Sequence, residues 1–235
     1  MKFNLPRQII SKELEPIIFR EIKKQKTELV RLNKNNLKEI AQITTAIRAS
    51  GIPETLVCKK LPHNLGKGIF LHPKAKPILK GQVIGPYSGE ISLAAQAQDK
   101  EDGSYTFTPL ENMRLKKEEQ FLVNRKCYYR PNRLYLLKVD ALKRGNFTRF
   151  INHSEKPNII AHLFKIPANR YDVQASPLEI IYIAKKTIHP GEQLLICYED
   201  EEKSYWGVSK IKPFPMTPKT FRLNHSLKIV TQSRD

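Results

Sequence analysis

The sequence predicts a mainly β fold, α+β overall, in which many short strands follow a helical N-terminal segment. Helical spacing of apolar residues is confined to about the first fifty residues. Short runs rich in β-branched and aromatic residues then succeed one another up to Tyr198. Turns such as Lys80-Gly81 and Pro190-Gly191 separate these runs, and no long helical pattern lies between them.

Residues 13–50 predict two helices arranged as a hairpin. Pro16 suits the first turn of a helix, whose apolar face would be formed by Ile17, Ile18, Ile22, Leu29 and Leu32. After an asparagine-rich break, Asn36 and Glu39 have the spacing of a capping box. The apolar face of the second helix would be formed by Leu37, Ile40, Ile43 and Ile47. Gly51 and Pro53 predict its end.

The remaining elements divide the chain into three parts. Strands are predicted at 56–59, 68–71, 82–87, 105–108, 134–139, 159–164, 178–184 and 193–198, and short helices at 94–102 and 111–120. The chain beyond residue 206 is basic and interrupted by prolines, which is typical of a tail. We therefore expect a helical extension at 1–53, a main domain at 54–206 and a basic tail at 207–235.

The net charge of +18 over 235 residues indicates a polyanionic partner, such as nucleic acid, chromatin or an acidic membrane surface. A well-solvated basic protein is the alternative. The three cysteines are widely spaced and the six histidines show no metal-ligand spacing, so neither a disulfide framework nor a metal site is expected. No apolar stretch suggests a signal peptide or a membrane span, and we expect a soluble protein.

Two motifs contain most of the functional information. Residues 145–158 read GNFTRFINHSEKPN, and residues 191–198 read GEQLLICY. This pair resembles the signature of SET-domain protein-lysine methyltransferases, and the resemblance extends over about residues 56–206. It implies a SET-domain β-clip that ends in a C-terminal pseudoknot. It also implies S-adenosyl-L-methionine as cofactor and a lysine of another protein as methyl acceptor.

The resemblance assigns residues to the implied site. The cofactor would be bound by Leu65, Gly66, Lys67, Gly68, Tyr105, Arg149, Asn152, His153 and Tyr198. Tyr198 and Tyr105 would be the catalytic residues, with Phe107 and Ile196 lining the lysine channel. A lysine ammonium, with a pKa of about 10.4, is no nucleophile. A narrow aromatic channel and a nearby sulfonium would both lower that pKa, and the tyrosine hydroxyls could then orient the neutral amine.

The sequence departs from the family where zinc-binding members carry a cysteine after Asn-His-Ser. Glu155 stands at that position and no cysteine follows Cys197, so we expect no zinc cap. Tyr205 and Trp206 are then the candidates for closing the cofactor site, although Trp206 could equally anchor the end of the domain.

The resulting prediction is a protein-lysine N-methyltransferase that acts on basic proteins such as histones or histone-like proteins. The alternative is a catalytically inactive SET-fold module that binds chromatin or nucleic acid. The four carboxylates at 199–202 could attract a basic substrate or could be a solvated loop. The short chain is similar to the small SET proteins of chlamydia-like intracellular bacteria. That similarity implies a cytoplasmic protein, with secretion into a host cell and its nucleus left open.

Overall fold

The computed structural model describes residues 14–27, 29, 31, 33–62, 66–96, 105–123, 128–165 and 178–198. The helices are α1 (Glu15–Lys24), α2 (Lys34–Ser50) and α3 (Lys117–Val123), and a 3-10 helix spans Phe147–Phe150. The strands are β1 (Leu56–Lys60), β2 (Lys67–Leu71), β3 (Val83–Tyr87), β4 (Glu90–Ala95), β5 (Thr106–Arg114), β6 (Leu134–Asp140), β7 (Asn152–His153), β8 (Ile159–Lys165), β9 (Leu178–Ala184) and β10 (Leu195–Ile196).

The strands form three sheets. β1 and β2 form an antiparallel hairpin, and a second sheet has the order β4-β6-β5. The third sheet has the order β3-β9-β8-β10-β7, with antiparallel pairs except where β10 runs parallel to both of its neighbours. The predicted mainly β fold is thereby confirmed.

Helix α1 packs against the end of the β4-β6-β5 sheet. Ile17, Ile18 and Ile22 are buried on its inner face. Arg20 forms hydrogen bonds with both carboxylate oxygens of Glu119 at the start of α3, including one of 3.0 Å from Nη2 to Oε2. Burial raises the pKa of Glu119, but the hydrogen bonds from Arg20 and from the backbone N–H of Lys116, together with the charges of these two residues, outweigh it, so the pKa is lowered overall.

Helix α2 packs on β3, and its cap differs from the predicted one. Asn33 is the N-cap and forms a reciprocal capping box with Asn36, whereas Asn36 with Glu39 had been expected. The Glu39 carboxylate instead accepts a hydrogen bond from the backbone N–H of Val83 at 3.0 Å. The predicted end is confirmed, because Gly51 adopts φ 82°, a left-handed conformation that favours glycine.

Three of the other predicted elements differ in detail. Residues 94–95 belong to β4 and residues 111–114 to β5, so the helices predicted at 94–102 and 111–120 are replaced by strand there. Residues 97–102 lie outside the described part of the chain, and α3 covers only the end of the second predicted helix. Cross-strand pairing with β6 overrides the weak local preference of these polar segments. The strand predicted at 193–198 is reduced to β10, because only Leu195 and Ile196 pair with β7 and only Ile196 also pairs with β8.

One hydrophobic core unites these layers. It contains Ile17 and Ile18 of α1, Ile47 of α2, and most of the inward-facing strand residues, so the helices are part of the same core as the sheets. No helix in the described ranges is long and apolar enough to span a membrane.

Candidate functional site

The site predicted from the two motifs lies where β10 inserts between β7 and β8. Leu195 pairs with Asn152 and Ile196 with His153, while Ile196 also faces Ile159 on the other side. The backbone N–H of Ser154 donates to Ile196 O at 2.9 Å. The segment after β10 is therefore held against the Asn-His-Ser motif, although forty residues separate the two in the chain.

The buried side chain of Asn158 holds β10 in its position between β7 and β8. Its side chain is fully buried, its Nδ2 donates to Gln193 O at 2.8 Å, and its Oδ1 accepts from Leu195 N at 2.8 Å. Its own backbone N–H donates to Leu195 O at 3.0 Å. One side chain thus supplies the partners that a longer strand would have supplied. The sequence motif that ends at Asn158 predicts no role for this residue, because long-range hydrogen bonds to the main chain leave no local pattern.

His153 and Tyr198 are in direct contact. The backbone N–H of Tyr198 donates to His153 Nδ1 at 2.9 Å, and the ring centroids are 5.4 Å apart. The Tyr198 hydroxyl donates to the carbonyl of Ile151 at 2.5 Å. His153 is buried, whereas Tyr198 keeps 47% of its surface exposed. The imidazole therefore orients the chain at Tyr198 and leaves part of the tyrosine ring accessible.

Tyr105 and Arg149 form the neighbouring wall. The Arg149 guanidinium lies over the rings of Tyr105 and Phe150, at 5.7 Å and 4.7 Å from their centroids. Its Nη1 donates to the carbonyls of Ala141 and Leu142 at 2.9 Å and 3.0 Å. The guanidinium is thus held by carbonyls after β6 on one side and by two aromatic faces on the other.

Tyr87 lies against the candidate catalytic residue Tyr105 and has no role in the sequence prediction. Its hydroxyl donates to Tyr105 O at 2.5 Å. Burial raises the pKa of Tyr87 well above its usual range, and the nearby Tyr198 and Tyr105 add to this effect. Tyr182 packs against Tyr87 with ring centroids 5.6 Å apart, and burial also raises its pKa well above normal. Both phenols therefore stay neutral at physiological pH and can donate hydrogen bonds.

The predicted channel residues have different surroundings. Phe107 lies on β5 with its ring 6.0 Å from that of Tyr87, beside the tyrosine cluster. Ile196 is 2% exposed and belongs to the core, enclosed by its pairing with His153 and Ile159.

The glycine turn before β2, residues 66–68, lies beside Asn152 and Phe150. Asn152 Nδ2 donates to Lys67 O at 2.9 Å, and Lys67 Nζ lies 5.4 Å from the centroid of the Phe150 ring. Gly66 has φ 75°, a conformation that favours glycine. The segments predicted to bind the cofactor at 66–68 and 152–153 are therefore adjacent in space.

The surroundings of Gly68 indicate whether the space between the glycine turn and Asn152 suits a polar ligand. A Cβ built on Gly68 would lie 2.7 Å from Gln193 Nε2 and 3.2 Å from Asn152 Nδ2, so a larger residue would have to displace these two side-chain amides. Gln193 is 2% exposed, and neither Nε2 nor Oε1 has a hydrogen-bond partner among the described residues. Buried amides normally have partners, so these atoms can bind a polar ligand group or water. The residues present fit the cofactor that the resemblance implies.

Three predicted cofactor residues, Leu65, Tyr205 and Trp206, lie outside the described residues, as does the acidic run at 199–202. Within the described ranges, no group of three or more histidine, cysteine or acidic side chains could hold a metal ion.

Comparison with known proteins agrees with this arrangement. The family model described as the SET domain matches residues 68–199. In Schizosaccharomyces pombe, "Histone-lysine N-methyltransferase, H3 lysine-4 specific" is 38% identical over 66 residues, covering 28% of this chain and 6% of that protein. In Danio rerio, "N-lysine methyltransferase KMT5A-A" is 28% identical over 196 residues, covering 80% of this chain and 45% of that protein. The chain thus spans less than half the length of either curated relative.

A solved structure of ATXR5 in complex with histone H3.1 mono-methylated on R26 is similar in fold. The TM-score is 0.50 at 16% sequence identity, and the match covers 75% of this chain and 71% of that chain. At this identity the likeness concerns the fold alone.

Proposed function

The chain belongs to the SET-domain family, and from this premise we propose that it is an S-adenosyl-L-methionine-dependent protein-lysine N-methyltransferase. The observation that supports this most strongly is the insertion of β10, which holds Tyr198 against His153 beside the glycine turn. Both similar curated proteins are named as lysine methyltransferases.

We propose that the cofactor lies between the glycine turn and the Asn-His-Ser motif. Main-chain groups of residues 65–68 would hold it at one end, with Asn152 and His153 at the other and Arg149 and Tyr105 at its side. Tyr205 and Trp206 would close the site. When bound, the cofactor supplies an electrophilic methyl group on a sulfonium, which passes to the neutral lysine amine.

The tyrosines would prepare the substrate lysine. An aromatic channel that excludes water disfavours the ammonium form, so the amine loses its proton to solvent more readily. The hydroxyl oxygens of Tyr198 and Tyr105 would accept hydrogen bonds from the N–H groups of the amine, which would orient its free lone pair toward the methyl group. Tyr87 would act as a positioning residue, because its hydroxyl fixes the main chain of Tyr105.

The substrate that we propose is a basic protein such as a histone or histone-like protein, in line with the names of the curated relatives. The acidic run at 199–202 directly follows Tyr198 in the chain and would attract a lysine-rich segment. Similarity to small SET proteins of chlamydia-like bacteria would make the enzyme cytoplasmic in the producing cell, with a host nucleus as an alternative destination.

The decisive experiment combines cofactor binding with methyl transfer. Calorimetry with S-adenosyl-L-methionine should show binding, and labelled-methyl transfer to a histone mixture should show product. Tyr198→Phe should reduce transfer by about 100-fold while cofactor affinity changes little, because the hydroxyl orients the amine. Tyr128→Phe is the matched control, since Tyr128 is 87% exposed and removed from the site in sequence.

The outcomes separate the two candidate functions. Unchanged transfer by a folded Tyr198→Phe variant would exclude the proposed role of that hydroxyl. Cofactor binding without transfer to any basic protein would favour the second candidate, an inactive SET-fold module that binds chromatin or nucleic acid. The net charge of +18 is the observation that favours that alternative.

A further inference from the structure

Six exposed lysines surround one end of the five-stranded sheet. We refer to them as the basic edge, formed by Lys34, Lys38, Lys80, Lys156, Lys185 and Lys186. The register explains why they meet. β3 starts where β9 ends and where β8 starts, because Val83 faces Ile183 and Ile159 faces Ala184. Lysines that are far apart in the chain therefore lie at the same end of the sheet.

Hydrogen bonds connect the four segments that contain these lysines. Asn36 Nδ2, on the first turn of α2, donates to Gly81 O at 3.4 Å. The backbone N–H of Gly81 donates to Ala184 O at 2.8 Å, and that of Lys185 donates to Asn158 O at 2.8 Å. The basic edge thus runs continuously from α2 across the sheet to Lys156.

The charge of the basic edge is not neutralised locally. None of its six lysines forms an ion pair with a described residue. The three ion pairs among the described residues all involve Arg20 or Lys24 of α1. Two acidic residues lie nearby. The Glu39 carboxylate accepts a hydrogen bond from Val83 N, and Glu155 is exposed beside Lys156. The edge therefore keeps an excess of positive charge.

The length of the edge suits a nucleic-acid backbone. The three strands whose ends contain the basic edge, β3, β9 and β8, span about 10 Å at the usual spacing of 4.8 Å, which corresponds to about three phosphates along one strand of a duplex. A membrane surface would instead favour exposed aromatic and aliphatic side chains among the lysines. Among the described residues, the exposed aromatic residues Phe121, Tyr128 and Tyr129 lie on or just after α3, and Tyr198 lies in the candidate site. Near the basic edge the exposed large apolar side chains are only Leu79, beside Lys80, and Ile160, at the start of β8.

We propose that the basic edge binds the phosphate backbone of double-stranded nucleic acid. Its Lys156 end adjoins the candidate site, since Ser154 and Asn158 hydrogen-bond β10 just before Tyr198. A duplex on the edge would therefore bring proteins already bound to it close to Tyr198. The binding itself goes beyond methyl transfer and does not require it.

Fluorescence anisotropy of the full chain with a 20-base-pair DNA duplex tests the proposal over a series of salt concentrations. The Lys185→Ala/Lys186→Ala variant should bind at least about 10-fold more weakly at 0.1 M salt. Its slope of log affinity against log salt should be shallower by about 2. Lys116→Ala/Lys117→Ala, which removes two adjacent lysines at α3, should retain the wild-type affinity and slope. Thermal unfolding checks that both variants fold.

Other outcomes would overturn the proposal. Equal losses in the two double variants would mean that net charge alone attracts DNA, and wild-type affinity in Lys185→Ala/Lys186→Ala would exclude the edge. Binding to phosphatidylserine vesicles without binding to any duplex would identify a membrane-binding surface instead. The same measurement with an RNA duplex shows whether affinity depends on the phosphates, which DNA and RNA share, or on the form of the double helix. Because no cofactor or methyl acceptor is present, these results are independent of methyltransferase activity.

Discussion

Replacing Asn158 by aspartate should make the stability of this protein strongly dependent on pH. The change substitutes an oxygen for the Nδ2 donor that faces Gln193 O at 2.8 Å, while the acceptor for Leu195 N is kept. When ionised, the new carboxylate would be buried against a carbonyl oxygen. When protonated, its hydroxyl can donate to that carbonyl and restore the lost hydrogen bond.

The sign of the effect follows from these two states. Burial and the facing carbonyl both favour the protonated form, so the pKa of the carboxyl group in the folded variant is raised above the ordinary value of about 3.9. The stabilisation is therefore fully present below pH of about 3.9 and is lost as pH rises through the raised pKa. At pH 7.5 the variant should be less stable than wild type by about 3–5 kcal/mol, the usual cost of leaving a buried charge uncompensated.

Urea unfolding followed by circular dichroism at pH 7.5 and pH 4 measures the difference from wild type at each pH. Asn158→Ala, which loses both side-chain hydrogen bonds, should be destabilised by about 2–6 kcal/mol at both pH values. Asn112→Asp is the matched control, because Asn112 is exposed. The reasoning is refuted if Asn158→Asp shows the same deficit at both pH values, or one as small as that of the control.

Three further substitutions test the packing around the site and the attachment of α1. Gly68→Ala should weaken cofactor binding by at least about 10-fold in calorimetry, because its Cβ would lie 2.7 Å from Gln193 Nε2; unchanged affinity would place the cofactor elsewhere. Gly89→Ala should lower the free energy of unfolding by about 1–3 kcal/mol, since its Cβ would lie 2.6 Å from the backbone at the end of β6; a stable variant would contradict this close approach. Glu119→Gln should cost up to about 1 kcal/mol at neutral pH, and the difference should disappear as pH falls through the lowered pKa that Arg20 imposes. A pH-independent difference in unfolding would show that the ion pair contributes nothing.

The boundaries of many elements follow from local sequence. Pro16 at the start of α1, Gly51 after α2, and the β-branched run of β9 each produce the structure that their chemistry favours. The cap of α2 shows the limit of this reasoning. Several asparagines can cap a helix equally well, and the choice of Asn33 leaves Glu39 available to bind the start of β3.

Polar segments were less predictable than apolar ones. Residues 94–95 and 111–114 were predicted as parts of helices, and β6 provides the partner that makes them strands on either side. β10 is a contrasting case, because a run that reads as a six-residue strand pairs over only two residues.

The fold class and the candidate site motifs can be predicted from the sequence, because the glycine turn at 66–68, Asn-His-Ser and the final tyrosine are local patterns. The side chains that support these motifs become visible in the folded structure. Asn158 holds β10, Tyr87 fixes the main chain of Tyr105, and Gln193 offers a buried amide beside Gly68. These roles depend on contacts between residues far apart in the chain, and so does the meeting of six lysines at one end of a sheet. Hydrogen-bond register sets those contacts, and no local pattern encodes it.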